Sequence, residues 1–143
     1  MLLEKEISRC KYSKLIFHES QVSCILYYRV IGAGVTLHNA LEAAKTLEGQ
    51  GKKIKVVDLF TIKPLNVDWL KQQAASANNR IVVVEDHYAE GGIGEAVSAA
   101  LNQTDIKIHQ LCVERIPRSG PPAALMAMFK IDAAAIVEKV NSL

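Results

Sequence analysis

The chain has 143 residues, of which 50% are hydrophobic and 6% aromatic, and its 17 lysine and arginine residues against 15 acidic residues give a net charge of +2. A chain of this length is long enough for one domain with a core of its own. The small net charge, the lack of a basic block and the scarcity of aromatic residues argue against nucleic-acid binding and against a membrane-binding surface.

The first predicted unit is a strand, a turn and a helix. Residues 25–31 form an apolar run typical of a buried strand, and a tight turn of Gly32, Ala33 and Gly34 follows. Thr36 is the predicted N-cap of the helix, because its hydroxyl can accept a hydrogen bond from an otherwise unpaired amide. The helix is predicted from apolar residues at helical spacing and from the glycines that end it: Leu37, Ala40, Leu41, Ala44 and Leu47, then Gly49 and Gly51.

Two further strand-helix units come next in the chain. Residues 54–59 are strand-like, and after Pro64 a helix over residues 67–77 is predicted to begin at an Asn66 cap. Residues 81–84 are entirely apolar, as expected of a strand that is covered on both faces of its sheet. The spacing of apolar residues predicts a helix over 93–101.

The last part of the chain continues the alternation. It predicts a strand at 106–113, an irregular link at 115–122, a short helix at 124–129 and a final helix capped by Asp132. Strands that alternate with helices indicate a parallel sheet covered on both faces by right-handed crossovers. We expect one α/β domain over residues 13–143. Residues 1–12 show neither helical nor strand periodicity and are predicted to be a frayed arm or a loosely attached helix.

The cysteines and the start of the chain bear on location. Cys10, Cys24 and Cys112 form no CxxC or Cys/His pattern, so neither a disulfide framework nor a zinc site is predicted. The apolar run at 22–31 is broken by Arg29 and too short to span a bilayer, and no signal-peptide core precedes it. We expect a cytoplasmic protein that is not exported.

Four polar or ionisable residues directly follow the apolar strand at 81–84: Glu85, Asp86, His87 and Tyr88. Ligands and partners dock at the carboxyl ends of strands in open α/β sheets, so this cluster predicts a functional edge. A histidine beside carboxylates can act as a general acid or base near neutral pH. No serine or cysteine motif supplies a nucleophile, so the preferred interpretation is a hydrogen-bonded loop or a subunit contact, with no catalytic residue assigned.

Two glycine-rich turns are candidates for anion binding. The turn of Gly32, Ala33 and Gly34 with Thr36 opens a helix, whose free amides favour an anion. A dinucleotide fingerprint would need a third glycine at Leu37, so a simple tight turn is the preferred interpretation. The second turn contains Gly91, Gly92 and Gly94, and acidic residues at 90 and 95 flank it and would repel a phosphate.

Two arginines bracket a proline after the strand at 106–113. The guanidinium groups of Arg115 and Arg118 suit carboxylates or phosphates. A salt bridge to a neighbouring acidic loop is the default interpretation. If that loop contains Glu85 and Asp86, the two motifs hold each other in place.

Four sequence blocks, in this order and spacing, closely resemble the C-terminal domain of transketolases. They are VIGAGVTLH at 30–38, VDLFTIKPL at 57–65, VEDHY at 84–88 with GGIGEAV at 91–97, and RIPRSG at 115–120. The resemblance covers about residues 28–143 and, more weakly, the segment from residue 13.

The resemblance implies a three-layer α/β/α domain with a five-stranded, mostly parallel sheet, in which a first strand from Lys14 to Phe17 runs antiparallel. It implies a homodimeric parent enzyme that uses thiamine diphosphate and Mg²⁺ to move a two-carbon ketol unit between sugar phosphates in the pentose phosphate pathway. The chain lacks the Gly-Asp-Gly motif that holds the metal and the pyrophosphate, so no cofactor-binding or metal-binding residue is assigned and the chain alone is expected to be inactive.

The resemblance also implies a role as a scaffold that supports dimerisation and the neighbouring domains. The expected contacts are Glu85, Asp86, His87, Tyr88, Gly91, Gly92, Gly94 and Arg118. Two alternatives remain open. One is a free-standing module that binds a small anion at the turn of residues 32–36, and the other is the equivalent domain of a 2-oxo-acid dehydrogenase beta subunit.

Overall fold

The computed structural model describes residues 14–16 and 26–143 and folds them into a five-stranded sheet between two layers of helices. The elements are β1 (Lys14–Ile16), β2 (Leu26–Gly32), α1 (Val35–Gly49), β3 (Lys53–Asp58), α2 (Val67–Ala75), β4 (Arg80–Tyr88), α3 (Ile93–Leu101), β5 (Lys107–Val113), α4 (Pro122–Met128) and α5 (Ala133–Ser142). The strand order is β1-β3-β2-β4-β5. The predicted arm at residues 1–12, the boundary at residue 13 and Phe17 lie outside the described residues.

The sheet is parallel except at one edge. β2 pairs in parallel with β3 and β4, and β4 pairs in parallel with β5. β1 pairs antiparallel with β3, with Leu15 opposite Val57. The α/β fold and the antiparallel first strand are therefore confirmed.

Successive side chains of the central strands point to opposite faces, and each face has its own core. On one face, Val30 and Val82 pack in a cluster with residues of α1 and α5. On the other, Ile31 and Val83 pack with residues of α2 and α3. Burial on both faces explains why residues 81–84 carry no polar side chain.

Two of the three predicted helix caps are confirmed. Asn66 Oδ1 accepts a hydrogen bond from the Trp69 amide at 3.0 Å, and Asp132 Oδ1 accepts one from the Ala135 amide at 2.9 Å. The Thr36 cap is wrong, because α1 begins at Val35 and its N-cap is Gly34, with a φ of 59°. That backbone conformation is open to glycine, so the helix starts earlier than the threonine indicates.

β4 runs four residues further than the apolar run that predicted it. Val84 is opposite Leu111 on β5 and Tyr88 is opposite Val113, so the four steps on β4 face only two on β5. Such an irregularity bends a strand and turns its side chains to new directions. Glu85 to Tyr88 therefore belong to a distorted strand end and not to a loop.

Candidate docking surface at the carboxyl edge of the sheet

All four parallel strands end at the same edge of the sheet, which we call the carboxyl edge. The segment that follows each strand carries a large exposed apolar side chain: Val35 after β2, Phe60 and Ile62 after β3, Tyr88 at the end of β4 and Ile116 after β5. Phe60 is 59% exposed and Ile116 is 80% exposed. Monomeric soluble proteins rarely group exposed apolar side chains in this way, and such groups mark interaction sites.

Glu85 lies inside the domain although the next three residues are exposed. Its side chain is 2% exposed. Its carboxylate accepts hydrogen bonds from the amides of Ile93 (2.6 Å) and Gly94 (2.9 Å) at the start of α3. It also accepts one from Gln110 Nε2 on β5 at 2.5 Å. A negative group at a helix amino end is favourable. Through these hydrogen bonds the buried Glu85 side chain links β4 to β5 and to the start of α3.

The glycines before and within α3 make room for that contact. A Cβ atom at Gly92 would lie 2.1 Å from Glu85 Oε2, and one at Gly94 would lie 2.3 Å from the Gln110 side chain. The Gly91 amide donates to the Glu95 carboxylate. The amino end of α3 is thus filled by carboxylates of the chain itself.

Asp86, His87 and Tyr88 are exposed at the end of β4. His87 Nδ1 lies 2.9 Å from the carbonyl oxygen of Tyr88, and the two rings form an edge-to-face pair with centroids 6.4 Å apart. The Tyr88 ring thereby presents an apolar, exposed surface beside the imidazole. These three residues are accessible to a partner, and their role as contacts stays a prediction.

The turn between β2 and α1 uses its polar groups internally. The Thr36 hydroxyl lies 2.9 Å from the carbonyl oxygens of Ala33 and Val84, either of which can accept its proton, and it accepts from the Ala33 amide at 3.2 Å. A Cβ atom at Gly32 would lie 3.1 Å from backbone atoms of Thr36 and Leu37, so glycine allows the close approach of strand and helix. No contact of this turn supports anion binding, which stays a prediction.

The segment after β5 is exposed over residues 114–124. Arg115 Nη2 donates to the carbonyl oxygen of Met128 at 2.9 Å, and its guanidinium lies 5.8 Å from the centre of the Phe129 ring. Arg118 is exposed. Among the described residues neither arginine pairs with Glu85 or Asp86, so the hypothesis that the two motifs hold each other is wrong. The Glu85 carboxylate already has three partners in the domain.

A groove of about 370 Å³ lies beside this segment, where β5 meets the end of α4. It is lined by Leu111, Cys112, Glu114, Arg115, Met128, Phe129 and Lys130. Burial and the charge of Glu114 raise the pKa of the Cys112 thiol, with smaller effects from Glu85 and Glu90. A raised pKa keeps the thiol protonated and unreactive, so we assign it no chemistry.

Sequence reasoning named Tyr88 but missed the other apolar side chains of the carboxyl edge. Phe60, Ile62 and Ile116 follow their strands without helical or strand periodicity, next to proline and polar residues. An isolated apolar residue in a loop is ordinary. The signal that could have revealed the surface was that an apolar residue recurs after each of several successive strands.

No helix among the described residues is long and apolar enough to cross a membrane.

Comparison with known proteins gives a consistent family. The model of the family "Transketolase, C-terminal domain" matches residues 29–136. Transketolase-like protein 2 of Mus musculus is 54% identical over 113 residues, which are 78% of this chain and 18% of that relative. Human transketolase is 52% identical over 115 residues, covering 80% of this chain and 18% of its own length. The chain thus spans about a fifth of the length of these curated relatives.

Solved structures of transketolases have the same fold. A split-gene transketolase, described as an inactive beta4 tetramer, superimposes with a TM-score of 0.75 at 29% identity, over 81% of this chain and 38% of that one. A transketolase mutant from Pichia stipitis gives a TM-score of 0.59 at 20% identity over 92% of this chain and 18% of its own, which shows the fold alone.

Proposed function

The chain belongs to the transketolase family, whose C-terminal domain model matches residues 29–136, and we propose that it is the supporting lobe of a transketolase-like enzyme and has no catalytic activity alone. In this proposal the complete enzyme is cytoplasmic and homodimeric. It uses thiamine diphosphate and Mg²⁺ to transfer a two-carbon ketol unit between sugar phosphates of the pentose phosphate pathway. The lobe supports the domains that hold the cofactor and the contact between subunits.

The exposed apolar side chains of the carboxyl edge carry this proposal. Side chains such as Phe60 and Ile116 gain free energy when a partner removes them from water, and they lie at the edge where α/β sheets receive partners. Polar groups beside them, at Asp86, His87 and Arg118, are exposed and available for the rim of such a contact. The arrangement supports docking of the lobe against another part of a longer enzyme.

Two features of the described residues argue against a thiamine diphosphate site among them. Among the described residues, no three His, Cys, Asp or Glu side chains group as ligands of one metal ion. The amino end of α3, which has the glycines that a diphosphate would favour, is filled by the Glu85 carboxylate. We therefore assign this chain no step of the chemistry.

The share of the relatives that the chain covers also supports the proposal. More than four fifths of human transketolase has no counterpart here, since the match spans 18% of that protein. The split-gene transketolase that shares the fold is described as inactive in its beta4 form.

Two activity assays test the proposal. The whole chain, mixed with thiamine diphosphate, Mg²⁺, a ketose phosphate donor and an aldose phosphate acceptor, is expected to give no ketol transfer. Human transketolase with its matching region replaced by residues 29–143 of this chain is expected to be active, because the graft restores the lobe. Turnover by the chain alone would overturn the supporting role.

Variants of the chimera then locate the docking surface. The double change Phe60→Asp with Ile116→Asp places two charges on the carboxyl edge, and we expect it to lower activity and to weaken dimers measured by sedimentation. Ala134→Asp is the control, because residue 134 is exposed in the first turn of α5, where a carboxylate is favourable. Equal activity and equal dimer stability of the two variants would exclude the carboxyl edge as the docking surface.

A further inference from the structure

Four basic residues face one another at the opposite, amino edge of the sheet, and we call them the basic cluster: Arg80, Lys107, His109 and Lys139. Arg80 and Lys107 are the first residues of β4 and β5 and lie directly opposite each other. His109 is two residues further along β5, opposite Val82, and therefore on the same face as Lys107. That face is covered by α5, which carries Lys139.

The orientation of Arg80 is fixed by neighbours on that face. Its Nη1 donates to the Tyr28 hydroxyl at 2.8 Å and to an oxygen of the terminal carboxylate of Leu143 at 3.1 Å. Its guanidinium lies 5.5 Å from the centre of the Tyr28 ring. The remaining nitrogens, Nη2 and Nε, make no hydrogen bond within the described part of the chain. The Arg80 guanidinium is therefore held in one orientation, and its Nη2 and Nε groups can still donate hydrogen bonds to a bound ligand.

In the described part of the chain the cluster contacts one anionic group, the terminal carboxylate of Leu143 on Arg80, and no acidic side chain. Among residues 26–143, Arg80, Lys107 and Lys139 form no ion pair with an acidic side chain. Like charges on adjacent strands repel one another, and the terminal carboxylate offsets only one of the three charges, so a further anion is favourable. Arg80, His109 and Lys139 are only half-buried, so an anion from solvent can reach them.

His109 lies in the electrostatic field of the other three members of the cluster. Burial lowers the pKa of its imidazole, and the positive charges of Lys139, Arg80 and Lys107 lower it further. These are the charges that face it from α5, β4 and β5. The imidazole is therefore held neutral in a site where a neighbouring anion would favour its protonated form.

We propose that the basic cluster binds the phosphate group of a small molecule. A phosphate group carries nearly two negative charges near neutral pH and three acceptor oxygens, which suits one guanidinium fork and two ammonium groups better than a single carboxylate does. His109 gains a proton as the anion binds and becomes a fourth donor. The site lies at the sheet edge away from the carboxyl edge, so a ligand there leaves the docking surface free.

The direct test is a titration of the whole chain with inorganic phosphate, followed by NMR of the imidazole of His109 at constant ionic strength. We expect a saturable shift at His109 and a rise in its pKa when phosphate is bound. His38, which is exposed on α1, is the internal control and should not respond. Sulfate stays a dianion throughout this pH range, so its binding should tighten as the pH falls through the His109 titration.

Charge removal separates a site from general screening. We expect Lys139→Gln to weaken phosphate binding roughly tenfold, as for loss of one charge-assisted hydrogen bond. Lys107→Gln removes a second charge of the cluster at an exposed position and should also weaken phosphate binding. It replaces Lys139→Gln as the test if that variant is unstable. Lys45→Gln is the matched control, an exposed lysine on α1, and should leave the affinity unchanged.

Three results would overturn the proposal. One is a His109 shift that is linear in phosphate and equal to the shift with chloride. Another is an equal response of the Lys139→Gln and Lys45→Gln variants. The third is a response to acidic peptides or polyanions without any response to inorganic phosphate, which would assign the cluster to a macromolecular partner.

Discussion

Arg29 is the most unfavourably placed charge in the described core. Its side chain is 1% exposed on β2, and its one hydrogen bond to a described residue runs from Nη2 to Ser76 Oγ at 2.6 Å. Nε and Nη1 have no partner among the residues that the structure describes. Burial lowers the pKa of this guanidinium to about 10. Burial of the charged Arg29 guanidinium therefore lowers the stability of the folded chain.

Replacing this charge should stabilise the chain. We expect Arg29→Met to raise the free energy of unfolding by about 1–3 kcal/mol, because it removes buried donors that have no acceptor and keeps an unbranched side chain of similar length. Urea unfolding followed by circular dichroism measures the change. Arg118→Met, at an exposed position, is the control and should have no comparable effect. A destabilised Arg29→Met variant would mean that the guanidinium has an anionic partner.

The same residue predicts a pH dependence. The pKa of Arg29 is about 10 in the folded chain, below its value in the unfolded chain, so between the two values the unfolded chain binds more protons. Stability contributed by this group therefore rises with pH through that window and is lost as the pH falls through about 10. The advantage of Arg29→Met should be constant below about pH 10 and shrink as the pH rises through the window.

At the scale of single elements, the start of α3 depends on two glycines that have no room for a side chain. We expect Gly92→Ala and Gly94→Ala each to destabilise the chain by about 1–3 kcal/mol, because Glu85 or Gln110 must move from its hydrogen bonds. Gly49→Ala is the matched control, since a Cβ atom there meets nothing within 4 Å. It should be neutral or stabilising by up to about 1 kcal/mol.

Thermal unfolding of the three variants measures these differences. The account of Glu85 as an internal brace would fail if Gly92→Ala and Gly94→Ala unfolded at the temperature of Gly49→Ala. Restoration of stability by combining Gly94→Ala with a shorter side chain at Gln110 would support the steric cause.

Helices and central strands could be predicted from the sequence because local patterns determine them. The caps at Asn66 and Asp132 needed only a short polar side chain before an apolar periodic run. Thr36 satisfied the same rule, but Gly34 has a positive φ and α1 begins at Val35, before the threonine. The sequence alone does not show which glycine adopts a positive φ. β1 was expected only from the family resemblance, because three residues are too few to show the two-residue alternation of a strand.

The candidate site was less predictable because it depends on pairing between distant strands. Glu85 was expected on the surface with Asp86 and His87. It lies two residues after Val83, so the alternation of the strand places it on the same face, where the start of α3 packs. Sequence gave no sign that Gln110, 25 residues away, would meet it. Arg29 was noted only as a break in an apolar run.

At the scale of the whole molecule, strand order creates the docking surface. β2, β3, β4 and β5 are adjacent and parallel, so the segments after them meet at one edge although they lie far apart in sequence. Phe60 and Ile116 reach the same edge from strands separated by two others in the sheet. The basic cluster lies at the other end of the strands, so the sheet separates an apolar surface from a charged one.

Amide hydrogen exchange tests the supporting role most directly, by comparing the free chain with the same residues grafted into human transketolase. We predict that the segments 59–66 and 114–121 exchange fast in the free chain and become protected in the chimera, while residues 133–142 change little. Equally fast exchange of both segments in an active chimera would show that the carboxyl edge meets no other domain, which would contradict the account.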